Sequence, residues 1–292
     1  MFIMPPVTKN LLIINILMYM ANYVLMARFG INLSDLLGLH FFLASDFRLH
    51  QFFTYLFMHG SIEHLFFNMF ALWMFGRIIE QVLGQKRFLI YYMVCGIGAG
   101  LLQELVQYLH YIYEGLDAYE QVNIGGSILA MSDFLNGWNT VGASGAVYGI
   151  LLAFGMTFPD ERMFIIPIPF PIKAKYFVVG YAVVELLSAI MRSSDGVAHM
   201  AHLGGMLFGL LLLLYWRNPG GLSKWYNNWR SKHSKPQMKS YRGGRFADEM
   251  DYNERRRANQ EEIDRILDKV KAHGYGSLTE SEKRKLFDAS GR

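Results

Sequence analysis

The chain has 292 residues, of which 52% are hydrophobic, and a formal net charge of +4 at pH 7. Its charge is segregated, because 18 of the 28 Lys and Arg lie from Arg217 onward, and this excludes a soluble domain with evenly spread charge. The single cysteine, Cys95, excludes an intrachain disulfide and a cysteine-rich metal site. An apolar body followed by a basic tail predicts a membrane domain with several spans and a soluble C-terminal segment.

Six apolar stretches of the body are candidates for helices that cross a bilayer. In chain order they are Asn10–Ala27, Ile62–Ile79, Phe88–Tyr111, Val141–Phe158, Tyr176–Met191 and Val197–Trp216. Most of them reach the roughly 17 to 25 residues that a bilayer requires, and the fifth is marginal in length. The first loop, residues 30–59, has apolar runs too broken to span, so we expect it to lie partly in the membrane interface.

The basic residues of the loops predict the orientation. Lys and Arg follow the second and fourth spans, whereas the third loop, residues 114–140, has none. Because basic loops stay on the cytoplasmic side, both termini are predicted to be cytoplasmic. We therefore predict an all-α membrane protein with a six-helix membrane domain at residues 1–217 and a cytoplasmic tail at residues 218–292.

The tail has eight Lys or Arg and no acidic residue between Arg217 and Arg245. Such a run favours contact with anionic lipid headgroups, and we expect no nucleic-acid partner. Further along, four residues form an apolar stripe at helical spacing, and Thr279 with Glu282 matches a capping box. The stripe consists of Ile263, Ile266, Leu267 and Val270. The tail is therefore predicted to hold short amphipathic helices.

Polar side chains occupy the first two turns of the second, fourth and sixth spans, which all begin on the outer side in this topology. They are His64 and Asn68 in the second span, Ser144 in the fourth and His202 in the sixth. At a rise of about 1.5 Å per residue, Ser144 and His202 both lie on the order of 5 to 10 Å below the outer helix ends. A hydroxyl, imidazoles and an amide at one depth indicate a catalytic layer.

Glycines line one face of the fourth span and one face of the sixth. They are Gly142, Gly145 and Gly149 in the fourth span, and Gly205 and Gly209 in the sixth. Small residues let membrane helices approach closely, so contact of these faces would bring His202 to Ser144. Histidine is the usual base that activates a serine hydroxyl. The oxyanion formed on attack needs donors, which His64, Asn68 and the backbone N–H of Ser144 can supply.

Four sequence patterns occur in order on the expected spans. They are Gly142-Ala143-Ser144-Gly145, Ala201-His202 with Gly205 and Gly209, the run His59, His64 and Asn68, and the run Gly76, Glu80 and Gly84. With these patterns the chain resembles the rhomboid family of intramembrane serine proteases over about residues 30–216. It departs from many members in the first loop, where His50-Gln51 stands in place of Trp-Arg, so the anchoring of that loop stays open.

The resemblance implies a six-helix rhomboid bundle with a catalytic dyad of Ser144 and His202. It also implies that Tyr148 packs on the imidazole and that His64 and Asn68 help to form the oxyanion hole with Ser144. We therefore expect a serine endopeptidase that uses no cofactor or metal. It would cleave helices of single-span or multi-span membrane proteins near the outer face, with the fifth span as a lateral gate. The expected location is a bacterial inner membrane, with the site open to the extracytoplasmic side.

Two other functions stay open. A catalytically silent rhomboid-like protein would bind membrane helices without cutting them, although such proteins usually lack the serine or the histidine. A haem or metal protein would use His59, His64, His199 and His202, but the five-residue spacing of the first two does not place them on one helix face. The sequence does not indicate the oligomeric state.

Alternatives also remain within the site. Asp195 is a conceivable third member, but a carboxylate in a short loop is usually just solvated, and a dyad is preferred. His199 competes with His202 and is interpreted as a near-surface polar residue, because it lacks the glycines that follow His202. His59 is expected to hydrogen-bond within the first loop. Glu104 and Glu185 are interpreted as interhelical hydrogen-bonding residues without a catalytic role.

Overall fold

The computed structural model describes residues 4–164, 170–191, 198–217 and 245–290 of the chain. Asp195, considered above as a third member of the site, lies outside the described residues. The chain divides into two compact units, Met1–Trp225 and Tyr226–Arg292.

Helices dominate the first unit, as the sequence predicts. They are α1 (Pro6–Phe29), α2 (Leu33–Leu37), α3 (Gln51–Thr54), α4 (Ile62–Ala71), α5 (Arg77–Leu83), α6 (Gln85–Tyr113), α7 (Met131–Phe134), α8 (Ser144–Thr157), α9 (Ala174–Ile190) and α10 (His199–Arg217). A π-helical segment, Leu72–Gly76, joins α4 to α5, so the second span is one continuous helix. Single 3-10 turns cover Tyr55–Phe57, Leu116–Ala118 and Leu135–Gly137.

Antiparallel ribbons of two strands lie in the loops, which the all-α prediction did not include. β1 (Leu39–His40) pairs with β4 (Asn139–Thr140), β2 (Gln121–Ile124) with β3 (Ser127–Ala130), and β5 (Arg162–Met163) with β6 (Ile172–Lys173). Gly125 and Gly126 turn the β2–β3 hairpin with φ values of 58° and 93°, as two-residue hairpin loops require. The hairpin is short and largely exposed, so only its Gly-Gly turn marks it in the sequence.

Within the described part of the chain, four helices are long and apolar enough to cross a membrane: α1, the continuous helix Ile62–Leu83, α6 and α10. The predicted fourth and fifth spans correspond to α8, with 14 residues, and α9, with 17 residues. The fourth helix begins at Ser144 and not at Val141, because Gly142 has a φ of 130°, which a right-handed helix does not contain.

The glycine faces of α8 and α10 meet. A side chain on Gly205 would overlap the backbone carbonyl of Gly145, so these two backbones are in direct contact. Helix α6 joins them, since a side chain on Gly145 would overlap Ala99 and one on Gly149 would overlap Cys95. Packing at backbone distance leaves little freedom for α8 and α10 to move relative to each other.

The outward faces of the long helices are apolar. Leu17 on α1, Phe66 on α4 and Leu109 on α6 are each about 60% exposed. Large contiguous apolar surfaces are rare on soluble monomers, so these faces are suited to contact with lipid.

Gln51, which stands where many family members have arginine, anchors the first loop. It is buried, its Oε1 accepts a hydrogen bond from the backbone N–H of Arg48 at 3.0 Å, and its Nε2 donates to the carbonyl of Asp46 at 3.0 Å. Glu104 on α6 accepts a hydrogen bond from the backbone N–H of Phe42 in the same loop at 2.8 Å. Glu104 therefore holds the loop, which differs from the interhelical bond expected for it.

Glu80 binds the N-terminus of α1. Its buried carboxylate accepts hydrogen bonds from the backbone N–H groups of Val7 at 3.0 Å and Thr8 at 2.7 Å, and from the Thr8 hydroxyl at 2.7 Å. The first N–H groups of a helix have no partner inside the helix and carry partial positive charge. One carboxylate of the second span therefore satisfies the start of the first.

The described residues of the second unit form two helices, Arg245–His273 and Glu280–Ser290, with a 3-10 turn between them. The predicted capping box is present, since Oε2 of Glu282 accepts the backbone N–H of Thr279 at 2.7 Å and its hydroxyl at 2.8 Å. The prediction of short helices was wrong for the first, which has 29 residues. Its early turns are rich in good helix formers but lack an apolar stripe, so periodicity did not reveal them.

Candidate active site

Ser144 is the first residue of α8, where the chain turns into the helix. The turn needs glycine at position 142, because its φ of 130° is strained for other residues and a Cβ there would overlap the imidazole of His64. The N–H of Gly142 donates to the carbonyl of Tyr55 at 3.0 Å, which ties the turn to the first loop. The hydroxyl of Ser144 is thus held at a helix N-terminus, where backbone N–H groups have no partner inside the helix.

His202 lies in the first turn of α10, on the face that meets α8. Its Nε2 is 2.8 Å from Oγ of Ser144, and its side chain is buried. Tyr148, one turn after Ser144, stacks on the imidazole with ring centroids 4.2 Å apart and planes inclined by 7°. The stack fixes the plane of the imidazole and keeps Nε2 within hydrogen-bond distance of the hydroxyl.

The other ring nitrogen of His202 contacts a carboxylate to which sequence reasoning gave no role. Glu185 on α9 is buried and places Oε2 2.9 Å from Nδ1 of His202. The same oxygen lies 2.7 Å from Nδ1 of His199, and Oε1 accepts a hydrogen bond from the Tyr148 hydroxyl. The signal that could have revealed Glu185 is an ionisable residue inside an apolar span, which is a functional candidate in membrane proteins.

His199 is not the near-surface polar residue that the sequence suggested. Its side chain is 11% exposed and bonds Glu185. Its ring is perpendicular to that of His202, with centroids 6.3 Å apart. The imidazole in contact with Ser144 is that of His202, so the two histidines occupy different places around the carboxylate.

The two predicted oxyanion donors lie in the pocket that also contains Ser144. The imidazole of His64 packs against Gly142, and Nδ2 of Asn68 donates to the carbonyl of His64 at 2.9 Å. Both side chains line the same open pocket as Ser144 and His202. The bond to the carbonyl of His64 uses one hydrogen of the Asn68 amide, and the second hydrogen is left to donate to an oxyanion.

His59 lies beside this site. It is buried, and its ring meets that of His64 edge to face with centroids 5.1 Å apart. Burial and the neighbouring His64 lower the pKa of His59 to about 3, so its imidazole is neutral at physiological pH. Neither ring nitrogen of His59 has a hydrogen-bond partner of normal geometry among the described residues, but the backbone of Phe57 in the first loop interacts with the imidazole and partly offsets this lowering of the pKa.

The pocket continues from the polar site along a groove. One wall consists of Phe67, Phe70 and Met74 from the second span, and another of Phe177 and Tyr181 from α9. Apolar walls that end at a few convergent polar groups are typical of binding sites.

Glu185, His199 and His202 also form a group that could hold a metal ion, since each offers a ligand atom within 4.8 Å of the others. The metal alternative raised from the sequence included His199 and His202 but not Glu185. Both imidazoles are hydrogen-bonded to the carboxylate of Glu185. A divalent ion would therefore bind in competition with the contact between Nδ1 of His202 and the carboxylate.

The Rhomboid domain model matches residues 46–219, more than half of the chain. The chain belongs to the rhomboid family. A second model, a family of unknown function (DUF6576), matches residues 249–292 in the tail of this rhomboid.

Three relatives illustrate the similarity. Presenilin-associated rhomboid-like protein, mitochondrial, from Bos taurus is 29% identical over 191 residues, which cover 61% of this chain and 42% of the relative. Rhomboid protease AarA from Providencia stuartii is 29% identical over 160 residues, 53% of this chain and 51% of the relative. Rhomboid protein 1, mitochondrial, from Saccharomyces cerevisiae is 29% identical over 162 residues, 53% and 38% of the two chains. The rhomboid matches about half or less of each relative.

The rhomboid domain and its long apolar helices identify an integral membrane protein. Two of the three relatives carry the word mitochondrial in their names, so similarity alone does not select the bacterial inner membrane predicted above.

Proposed function

We propose that this rhomboid is a serine endopeptidase that cleaves transmembrane helices of other membrane proteins near the outer membrane face. Ser144 is the nucleophile and His202 is the general base. The observation that carries the proposal is the distance of 2.8 Å between Oγ of Ser144 and Nε2 of His202, which both line an open pocket. The similarity to a relative named Rhomboid protease AarA supports it.

The reaction begins when Nε2 of His202 takes the hydroxyl proton of Ser144 and Oγ bonds to the scissile carbonyl carbon. The carbonyl electrons move to the oxygen, and the backbone N–H of Ser144 stabilises this oxyanion together with His64 and Asn68. His202 returns the proton to the amine nitrogen as the C–N bond breaks, which leaves an acyl-enzyme. Water, deprotonated by His202, then hydrolyses the ester and restores the serine.

The proposed topology has six spans, with the membrane domain at residues 1–217 and both termini in the cytoplasm. Its basic tail, residues 218–292, contacts anionic lipid headgroups. The shortness of α8 supports a site below the outer face, because 14 residues give a helix of about 21 Å where the hydrocarbon core is roughly 30 Å thick. Water reaches Ser144 through the open pocket.

Substrates are proposed to be single-span or multi-span membrane proteins that enter along the groove, with α9 as the lateral gate. The apolar groove walls support this path, since they suit a segment that arrives from lipid. An intact helix hides its carbonyls in hydrogen bonds, so cleavage requires a segment that unwinds locally. No cofactor or metal takes part.

The alternative of a catalytically silent helix-binding protein does not require a serine in contact with an imidazole. The hydrogen bond between Ser144 and His202 therefore favours the protease.

The test is cleavage of a single-span substrate in liposomes by the purified wild type, Ser144→Ala and His202→Ala. The expected result is cleavage by the wild type and a loss of at least roughly a thousandfold in both variants. Cleavage at the wild-type rate by either variant would refute the pair. A chelator is expected to have no effect, whereas inhibition that zinc reverses would support the metal protein instead.

The proposed location is a bacterial inner membrane, with the site open to the extracytoplasmic side. A fluorescent protein that folds only in the cytoplasm should fluoresce when it is fused after Arg292. In membrane fractionation the fusion should be found in the same fractions as inner-membrane markers. A fusion that is made at normal abundance but does not fluoresce would show that the C-terminus lies outside the cytoplasm, opposite to the proposed orientation.

A further inference from the structure

Glu185 receives hydrogen bonds from three side chains of the site. His202 and His199 direct Nδ1 at Oε2, at 2.9 and 2.7 Å, and Tyr148 donates its hydroxyl to Oε1. The carboxylate is 5% exposed, and a buried carboxylate needs such donors to remain charged. The donors come from α8 and α10, whereas Glu185 lies on α9.

Glu104 shows what a purely structural carboxylate looks like in this bundle. It is also 5% exposed on a long apolar helix, and it accepts a hydrogen bond from the backbone N–H of Phe42. A hydrogen bond of that kind, between a helix and a loop, is satisfied by any suitable donor. Glu185 instead bonds the imidazole that contacts Ser144 and the tyrosine that stacks on that imidazole.

We propose that Glu185 is a positioning residue that extends the Ser144–His202 pair to a serine–histidine–glutamate triad. This inference rests on the function proposed above. A carboxylate accepts hydrogen bonds but does not donate them, so Nδ1 of His202 carries the proton. Nε2 then presents a lone pair to the hydroxyl of Ser144, which is the tautomer that a general base needs.

The carboxylate also acts later in the reaction. When Nε2 takes the serine proton, the imidazole becomes a cation, and Oε2 of Glu185 lies 2.9 Å from it. An anion at this distance in an apolar bundle stabilises that cation and hence the transition state that leads to it. Glu185 remains ionised and takes no proton.

His199 and Tyr148 have a supporting part in the triad. His199 bonds the same oxygen as His202, and Tyr148 bonds the other oxygen, so both carboxylate oxygens are fixed. A carboxylate fixed on both sides cannot rotate away from His202. This arrangement explains why a second imidazole lies next to the first without contact to Ser144.

The experiment compares wild type, Glu185→Gln and Glu185→Asp in liposomes, with kcat and KM measured separately. Glutamine has only one acceptor oxygen, so its NH2 group takes the place of one carboxylate oxygen and meets a hydrogen-bond donor. If that donor is an imidazole, its Nδ1 must give up its proton and the ring is pushed towards the tautomer protonated at Nε2. We expect kcat to fall by roughly 100-fold or more with KM nearly unchanged. Aspartate keeps the charge but is one methylene shorter, and we expect it to recover at least about tenfold over glutamine.

The matched control is Glu104→Gln, which alters a carboxylate of equal burial away from the imidazoles and should keep kcat within about threefold of the wild type. Labelling by a fluorophosphonate, which reacts with activated serines, reports on Ser144 without a substrate helix. Its rate should fall in Glu185→Gln and stay normal in Glu104→Gln. Thermal unfolding of each variant shows whether a loss of rate is a loss of folded protein.

The outcomes separate this inference from the proposed function. If Glu185→Gln keeps wild-type kcat and labelling while Ser144→Ala is inactive, the triad is wrong and the protease stands. An equal fall in the folded fraction and in kcat, without rescue by aspartate, also overturns the triad. If the wild type does not cleave, or Ser144→Ala cleaves as well as the wild type, the proposed function itself fails.

Discussion

The helices α8 and α9 both border the site, but they are held in different ways. Nine of the 14 residues of α8 are buried, whereas in α9 the buried residues are three of 17, namely Ala174, Val178 and Glu185. Helix α8 meets α10 through glycines at backbone distance, and α9 forms a wall of the groove. Ser144 and His202 are thus on the tightly packed pair, whereas the proposed lateral gate is the loosely packed helix.

The difference teaches that one pair of helices can align the serine and the imidazole while another helix of the same small bundle controls substrate access. Tight packing tolerates almost no change in volume, so we expect substitutions at the α8–α10 contact to have the largest effects. Substitutions at the link between the pair and α9 should have smaller ones, because they leave the serine–imidazole distance intact.

Gly205→Ala should break the tight pair and abolish cleavage, with a loss of more than about a thousandfold. The added methyl would overlap the carbonyl of Gly145, and misplacement by about 1 Å at a reacting centre costs on the order of 100-fold by itself. The matched control is Gly180→Ala on α9, where a Cβ meets nothing within 4 Å. Equal activity of the two alanine variants in liposomes would contradict the contrast between the helices.

Asn68→Ala should lower kcat by roughly ten- to a thousandfold, since it removes one donor to the oxyanion. Asn15→Ala is the matched control, because Nδ2 of Asn15 also donates to a carbonyl four residues earlier, that of Leu11, at 2.8 Å. Steady-state rates of both variants decide the point. If the control loses as much activity as Asn68→Ala, the asparagine at position 68 supports the helix and does not serve the reaction.

Tyr148→Phe should lower kcat by about tenfold. It keeps the ring that stacks on His202 and removes the hydroxyl that α8 donates to Glu185 on α9, while both imidazoles still hold the carboxylate. Tyr108→Phe, which deletes a hydroxyl from α6 beside Phe42, serves as the control. A variant as impaired as Glu185→Gln would mean that the tyrosine, and not the histidines, orients the carboxylate.

His199→Ala should have the smallest effect on rate, a fall of about two- to fivefold in kcat. The substitution removes one of the two imidazoles on Oε2 of Glu185 and leaves the contact of His202 with Ser144. The measurement is kcat on the same liposome substrate. A complete loss of activity would show that His199 is the base and that His202 has the supporting part.

The sequence could predict that Ser144 and His202 lie close together, because glycines at helical spacing follow both residues and indicate a close contact between their helices. The place of Glu185 depends on how α9 lies against α8 and α10, and no local spacing connects it to either histidine. The sequence did not predict the early start of the first tail helix or the β2–β3 hairpin for a different reason. Neither segment has the periodic apolar pattern by which helices and strands are recognised.

The bond between Glu80 and the start of α1 bears on how the protein is handled in the laboratory. An affinity tag attached ahead of Val7 preserves both N–H groups, but trimming the chain past Thr8 strips a buried anion of its donors. Each hydrogen bond to a charged group is worth about 1.5–3 kcal/mol, so a shortened preparation would unfold more readily for a reason unrelated to membrane anchoring. The stability of a series of N-terminal truncations therefore reports the loss of these hydrogen bonds to Glu80 as well as the shortening of the first span.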